Sequence, residues 1–397
     1  MRPTQDHSRF EDYLAAVRDF SQNRLRPAEP RLEEEEAIPE ELVQAIRDIG
    51  LFGISIPEEY GGLGCTMEEQ VLLTFEFTQA SAVYRSRFST TIGLCSQAIL
   101  DFGTEAQKRH WLPAMASGEA TGAFCLTEVE AGSDAGSLTT RAERDGDGWV
   151  LNGHKRYITN APEADVFLVM ARTDPASTGA GGVSAFLVGK ETPGITAGPP
   201  PRLLGQTGSH VTELFIEDCR VPGDALLGAI EGRGLKAALR GINHARTHVA
   251  ATCVGQAMRL IDEATTYALQ RRQFGEPIAE FQAIQGMLAD SRAETVAARA
   301  MVLECARAFD RATLDGDGEI PFADIACAKY FASEMVSRVA DCALQIHGGL
   351  GYMADTPVAR LWRDARLFRI FEGTSQIQQI QIARDMLRQH EAGRPVM

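Results

Sequence analysis

Glu372 is the residue of this sequence best placed for acid–base chemistry. It lies in the segment 369–378, RIFEGTSQIQ, between an aromatic residue and a Gly-Thr-Ser sequence that indicates a helix start. A carboxylate leaning into an apolar pocket from a flexible hinge would lose hydration, and the rise in its pKa would make it a better proton acceptor near neutral pH. The simpler interpretation is an acid that satisfies free N–H groups of the first helical turn. The segment alone favours the simpler interpretation.

Four further segments combine small, hydroxyl-bearing, aromatic and basic residues. They are 124–135 (FCLTEVEAGSDA), 155–160 (KRYITN), 271–275 (RRQFG) and 345–352 (QIHGGLGY). Alone, the first would be a loop and the third a solvated helix end. Together with the segment around Glu372, in this order and spacing, they resemble the acyl-CoA dehydrogenase flavoprotein family. The resemblance runs from about residue 10 to about residue 390.

The resemblance implies FAD as the cofactor and assigns its contacts. Segments 124–135 and 155–160 would line the flavin ring, while 271–282 and 345–349 would bind the FAD of a neighbouring subunit. This implies a homo-oligomer, usually a tetramer. The implied cofactor residues are Phe124, Leu126, Thr127, Ser133, Tyr157, Ile158, Thr159, Arg271, Phe274, Gln282, Gln345, Gly348, Gly349, Thr374 and Gln376. Tyr157 replaces the usual Trp but keeps a ring that can stack, whereas Val129-Glu130 replaces the usual Pro-Gly.

The same resemblance implies a reaction. An acyl-CoA thioester would lie between Glu372 and the flavin, Glu372 would remove the proton next to the thioester carbonyl, and hydride would pass to the flavin, giving the trans-2-enoyl-CoA. Donors to the developing enolate oxygen would be the Glu372 backbone N–H and a flavin ribityl hydroxyl. An electron-transferring flavoprotein would accept the electrons. Some relatives carry their base at the position of Ala245, which cannot act as one.

The resemblance also implies some of the contacts to the substrate. The resemblance assigns Ser133, Asn243, Arg246 and Gly373 to the CoA thioester, with Arg85 as a further candidate. The segment 84–87, YRSR, has two interpretations. It is a helix end in solvent, or it resembles glutaryl-CoA dehydrogenase, in which a Tyr-Arg-Ser segment holds a distal carboxylate. The acid that accompanies that arginine there is matched by Thr78 here, so decarboxylation is the weaker part of this resemblance.

Periodicity predicts an α+β fold with helices at both ends of the chain. The expected division is an N-terminal helical domain (1–120), a central β-domain, either a barrel or a sandwich (121–231), and a C-terminal four-helix bundle (232–397). Helix-start signals stand at 37–42 and 103–107, and Asp/Gly residues predict a loop at 314–319. Helical spacing covers 67–84, 90–102, 235–272, 278–310, 320–347, 358–367 and 375–390, and strand-like runs cover 149–152, 165–171, 183–188 and 211–216.

Two other classes of site are not supported by the sequence. The segment 349–354 fits GxGxxA, but a dinucleotide-binding fold needs a preceding strand, and a long helix is predicted there. His244 and His248 are spaced to share a helical face, but residue 245 is alanine rather than the glutamate of the zinc protease motif. We therefore expect no metal site.

Composition limits the partners. The chain has 397 residues and a net charge of −15, which argues against nucleic acid or an anionic membrane surface as a partner. Eight scattered cysteines without a CxxC pair are typical of reduced thiols, and we expect a cytoplasmic protein. Two alternatives to the dehydrogenase stay open: an oxidase or monooxygenase on the same fold, and a non-catalytic helical interaction protein.

Overall fold

The described residues of the N-terminal part form eight α-helices joined by shorter π- and 3-10-helical turns and loops. The computed structural model describes residues 7–316 and 319–395. Capping boxes begin two of the helices: Thr66 with Glu69, and Thr104 with Gln107, the second at the predicted start signal. The helices are α1 His7–Phe20, α2 Arg26–Ala28, α3 Pro30–Glu35, α4 Glu40–Asp48, α5 Met67–Phe77, α6 Ala82–Thr90, α7 Ser96–Phe102 and α8 Glu105–Ser117.

The prediction of one continuous helix over 67–84 is wrong, because the structure has two helices separated by a short break. α5 ends at Phe77 and α6 begins at Ala82, after Ser81, whose hydroxyl accepts the N–H of Val83. The carbonyls of Thr78 and Ala80 in the break accept hydrogen bonds from the side chain of Gln256. A cap and a buried amide thus satisfy backbone groups that a continuous helix would have paired internally.

The central part is one mixed seven-stranded sheet. Its spatial order is β1-β4-β2-β3-β7-β6, with β5 also paired to β4; β1 and β4 run parallel. The four predicted strand runs are found, while β1, β2 and β6 were missed because they are short or strongly charged. The strands are β1 Gly122–Cys125, β2 Arg141–Asp145, β3 Gly148–Thr159, β4 Val166–Arg172, β5 Val183–Gly189, β6 Ile195–Ala197 and β7 Val211–Val221.

The C-terminal part is helical, and it is organised around its longest helix, α9. α9 packs on α5 and α7 of the N-terminal part and on α10 and α11, and α13 packs on α11. A side chain at Gly255 of α9 would come within 2.1 Å of the Thr78 hydroxyl, so a small residue allows this close approach. The helices are α9 Gly234–Gln270, α10 Gln282–Asp310, α11 Phe322–His347, α12 Pro357–Ala365 and α13 Ser375–Glu391.

These three parts confirm the predicted α+β class. A two-stranded hairpin, β8 Arg272–Gln273 and β9 Glu276–Pro277, was not predicted and follows α9 directly. The predicted loop 314–319 begins inside a π-helical turn, Arg311–Asp315, and positions 317 and 318 lie outside the described residues. All eight cysteines are free thiols. Among the described helices, none combines the length and apolarity that crossing a membrane requires.

Candidate functional site

Glu372 lies in a tight loop between α12 and α13. Its backbone has a positive φ of 52° and that of Gly373 has a φ of 87°, a conformation that few non-glycine residues adopt. The cap of α13 is Thr374, whose hydroxyl accepts the N–H of Ile377. The interpretation of Glu372 as an acid that satisfies the helix start is therefore wrong. The strain at a non-glycine residue is typical of functional loops.

The loop is held by three side chains, all through its backbone oxygens. Arg246 Nε donates to the Glu372 carbonyl at 2.9 Å, and Lys329 Nζ donates to the Gly373 carbonyl at 2.7 Å. The Gln378 amide donates to both carbonyls, at 3.1 and 3.0 Å. The expected flexible hinge is thus a fixed turn.

The carboxylate of Glu372 is left available. No hydrogen bond to its carboxylate oxygens occurs among the described residues. Loss of hydration raises the pKa of Glu372, while Arg246, Lys329 and Arg85 oppose that rise. The arrangement can hold a partly desolvated base with free lone pairs, which is the requirement for accepting a proton from carbon.

Arg85 is buried within α6 and is not a solvated helix end. The helix continues to Thr90, and Arg85 is 8% exposed. Its guanidinium forms no hydrogen bond or ion pair within the described part of the chain, and it lies 6.0 Å from the ring centre of Phe88. Burial lowers the pKa of Arg85 to about 10, opposed by the charge of Glu372. A buried cation without a partner is costly, so this position suits an anionic ligand group.

Two histidines line the same region. The rings of His244 and His248 are 5.1 Å apart on α9, and burial, together with the charge of Arg85, lowers both pKa values, that of His244 to about 3. His248 contacts the Gln70 amide oxygen at 3.0 Å, whereas Nδ1 of His244 is buried and has no hydrogen-bond partner in the described part of the chain. Across residues 7–316 and 319–395, no group of three potential metal ligands was found. Burial therefore disfavours the charged form of both rings.

The two segments expected to line the flavin ring are brought together by hydrogen bonds. The Arg156 N–H donates to the Thr127 carbonyl at 2.8 Å, and Lys155 Nζ donates to the Leu126 carbonyl at 3.2 Å. A register shift in β3 between Lys155 and Ile158 leaves Tyr157 at a φ of 59° and 61% exposed. An exposed aromatic ring beside an ordered loop offers a stacking surface.

Glu128 stabilises the loop that follows β1. It accepts hydrogen bonds from the backbone and hydroxyl groups of Thr139 and Thr140, and it pairs with Lys155 at 2.8 Å. Asn160, just after β3, donates to the Ser86 carbonyl of α6 at 2.8 Å. The segments expected to line the flavin ring are therefore attached directly to the helix that carries Arg85.

A second group of predicted cofactor residues lies on the surface. Tyr267 stacks on His347 with ring centres 4.3 Å apart, which places the end of α9 beside the end of α11. Phe274 is 96% exposed, and Arg271 forms no ion pair among the described residues. A free guanidinium, an exposed ring and a turn with open space at Gly349 suit a phosphate-bearing ligand held against this face. The predicted cofactor residues exposed on this face are Arg271, Phe274, Gln282, Gln345, Gly348 and Gly349.

The remaining predicted residues are placed as follows. Ser133 is exposed in the loop after β1, and Gln376 is exposed in the first turn of α13. Asn243 accepts from Arg246 Nη1 at 2.8 Å and donates to the Leu239 carbonyl. Arg246 is thus satisfied by acceptors of its own chain, including Gln381 at 2.7 Å, and does not extend freely toward a ligand.

Lys329, Gln378, Glu128 and Lys155 were missed by sequence reasoning. A signal existed for Lys329, because it is a lone lysine on the apolar stripe of α11, one turn from Ile325 and beside Ala328. Such a lysine is buried only if a specific partner compensates it. Gln378 had no comparable signal, since the backbone oxygens that it contacts are not visible in a sequence pattern.

Comparison with known proteins identifies the family of this chain. Family models for the N-terminal, middle and C-terminal domains of acyl-CoA dehydrogenases match residues 7–119, 123–219 and 232–387. The probable acyl-CoA dehydrogenase FadE25 of Mycobacterium tuberculosis (strain ATCC 25618 / H37Rv) is 40% identical over 378 residues, covering 95% of each chain.

Two solved structures have the same fold. A glutaryl-CoA dehydrogenase in complex with glutaryl-CoA superposes with a TM-score of 0.91 at 36% identity, covering 98% of this chain and 97% of that one. An acyl-CoA dehydrogenase from Bacillus anthracis, complexed with FAD, superposes with a TM-score of 0.90 at 33% identity, covering 99% of this chain and 69% of that one. The chain belongs to the acyl-CoA dehydrogenase family and is an oxidoreductase acting on a CH–CH bond.

Proposed function

We propose that this chain is an FAD-dependent acyl-CoA dehydrogenase in which Glu372 removes the proton next to the thioester carbonyl and the product is a trans-2-enoyl-CoA. The observation that carries the proposal is the Glu372 loop. Its backbone oxygens are held by Arg246 and Lys329, while the carboxylate of Glu372 is partly desolvated and has no hydrogen-bond partner among the described residues. We keep the division into 1–120, 121–231 and 232–397 as part of this proposal.

The residues present fit FAD. Tyr157 offers an exposed ring next to the Leu126–Thr127 backbone, and Arg271 offers a diphosphate a guanidinium that is unpaired within the described residues. A related dehydrogenase was solved with FAD bound. When bound, the flavin supplies a hydride acceptor; the contacts to it would come from the cofactor residues given by the resemblance.

The chain itself supplies the proton transfer. Glu372 takes the α-proton, and its fixed turn keeps the carboxylate and its own N–H in a constant relation to one another. That N–H would donate to the thioester oxygen as negative charge develops there, a contribution worth a few kcal/mol in a water-poor site. Arg246, Lys329 and Arg85 favour the ionised form of the base and oppose the effect of burial.

A second substrate class is favoured by one observation, the unpartnered Arg85. A carboxylate at the far end of the acyl chain would provide the missing anion, as in a glutaryl-CoA-type substrate. Decarboxylation is not part of this proposal. Thr78, at the position of the accompanying acid, is fully buried, and its hydroxyl donates to the Thr74 carbonyl at 2.7 Å.

We include two partners in the proposal. The exposed ring of Phe274 and the exposed 345–349 turn suit contact with the FAD of a second copy of this chain, and hence a homo-oligomer, with a tetramer as the expected form. An electron-transferring flavoprotein is the expected acceptor of electrons; this rests on the family resemblance.

The test is anaerobic mixing of acyl-CoA with Glu372→Gln and with wild type. Gln keeps the volume of the side chain and removes the base, so the variant should stay yellow with bound FAD while flavin bleaching slows by at least about 100-fold. Glu391→Gln, at the exposed end of α13, is the control and should bleach at the wild-type rate. Rapid bleaching by the Glu372 variant would move the base elsewhere and refute the proposal.

A further inference from the structure

Lys329 is a buried cation whose only hydrogen-bond acceptor among the described residues is the loop that carries Glu372. It lies in the second turn of α11, is 0% exposed, and has no carboxylate within ion-pair distance among the described residues. Its hydrogen bond to the Gly373 carbonyl is 2.7 Å long. Removing an ammonium group from water costs several kcal/mol unless something compensates it, so the position needs an explanation.

The charged and titratable neighbours of Lys329 identify its counter-charge. Cys253 and Arg246 face it from α9, Glu334 lies on its own helix, and Glu372 lies in the loop. Cys253 is a buried thiol, and burial raises its pKa far above neutrality. Glu334 already pairs with Arg369 at 2.8 Å and accepts from a serine hydroxyl. The remaining anion is the carboxylate of Glu372.

We propose that Lys329 is a positioning residue for Glu372: its hydrogen bond to Gly373 holds the turn, and its charge stabilises the ionised base. This rests on the proposed function, because it assigns Lys329 a role in proton abstraction by Glu372. The attraction between the Lys329 ammonium and the ionised carboxylate of Glu372 offsets part of the cost of burying Lys329.

The charges that face Glu372 set the direction of a pH effect. They are Arg85 from α6, Arg246 from α9 and Lys329 from α11. All three oppose the rise in the Glu372 pKa that burial causes. Because only the carboxylate accepts the proton, removal of the Lys329 charge should move the acid limb of the rate profile to higher pH.

The test compares Lys329→Met with Lys329→Arg in the FAD-loaded enzyme. Met removes charge and donor at similar volume, and Arg keeps both. Flavin reduction by acyl-CoA is followed anaerobically from pH 5 to 8. Amide hydrogen exchange of peptides that cover 370–375 is followed without substrate. Lys236→Met, an exposed lysine of α9, is the matched control, and Glu372→Gln is run alongside.

In Lys329→Met the acid limb should move up by about one pH unit, which slows reduction about tenfold below the limb. Exchange of the loop amides should also accelerate. Lys329→Arg should keep both properties near wild type, as should Lys236→Met. An acid limb in Lys329→Met within about 0.2 units of wild type, or unchanged loop exchange, would overturn the role of Lys329. Full reduction by Glu372→Gln would instead show that the proposed function itself is wrong.

Discussion

Replacement of Arg85 by Met should stabilise the ligand-free fold and impair activity on substrates that carry a distal carboxylate. Arg85 is 8% exposed and unpaired within the described residues, and burial lowers its pKa from 12.5 to about 10. A shift of that size corresponds to about 3 kcal/mol of disfavoured charge. Met fills similar space without a charge. The free energy of unfolding of the ligand-free variant should therefore rise, by up to about 3 kcal/mol.

The same substitution should impair recognition of a distal carboxylate. A charge-assisted hydrogen bond contributes about 1.5–3 kcal/mol, so kcat/KM for glutaryl-CoA should fall about 10- to 150-fold in Arg85→Met. Hexanoyl-CoA has no anion to offer Arg85, so its kcat/KM should stay level or rise when it is measured above the acid limb, where Glu372 is ionised in both proteins. The quantity to report is the ratio of the two kcat/KM values, because errors in active-enzyme concentration cancel in it.

Arg87→Met is the matched control for this experiment. Arg87 lies on the same helix, but its guanidinium already donates to the Thr121 hydroxyl at 3.0 Å. Its loss should alter the two substrates by the same factor and should not stabilise the fold. Urea unfolding without ligand measures the stability. If Arg85→Met changes both substrates equally, or if it unfolds more easily than wild type, the assignment of Arg85 to a ligand anion is refuted.

Three further predictions concern cofactor binding, the Glu372 turn and the pH dependence of stability. Arg271→Ala should weaken FAD binding by about 1.5–3 kcal/mol in a fluorescence titration of the deflavinated protein, and equal affinity would contradict a phosphate contact. Gly373→Ala should slow flavin reduction and destabilise the fold, because the backbone has a φ of 87° and the new methyl group would lie 2.7 Å from the Gln378 amide; a wild-type rate would show that the turn is not needed. Although burial opposes it, pairing with Lys155 lowers the pKa of Glu128 to about 2. The stability that ionised Glu128 gives the fold should therefore be complete above about pH 4.5 and be lost toward pH 2. Glu128→Gln should lower the free energy of unfolding by about 3 kcal/mol in denaturant unfolding and flatten that pH dependence.

Local patterns were sufficient for the long helices, for four of the strands and for the family. The helical period of α9, α10 and α11, the turn residues between strands and the capping signal at Thr104 each act within a few residues of sequence, so they can be predicted from it. The same holds for the order of the five motif segments. Breaks such as that at Ser81 were not predicted, because the Gln256 amide that stabilises the break is far away along the chain.

The sequence by itself determined that a carboxylate at position 372 precedes a helix and that an arginine at 85 interrupts an apolar run. Only the tertiary structure decided what these groups can do. Whether Arg85 is solvated or buried depends on what packs over α6, and the environment of Glu372 depends on Arg246 and Lys329 from two other helices. Desolvation and Coulomb interactions depend on distances through space, and these are fixed when the three parts of the chain pack together.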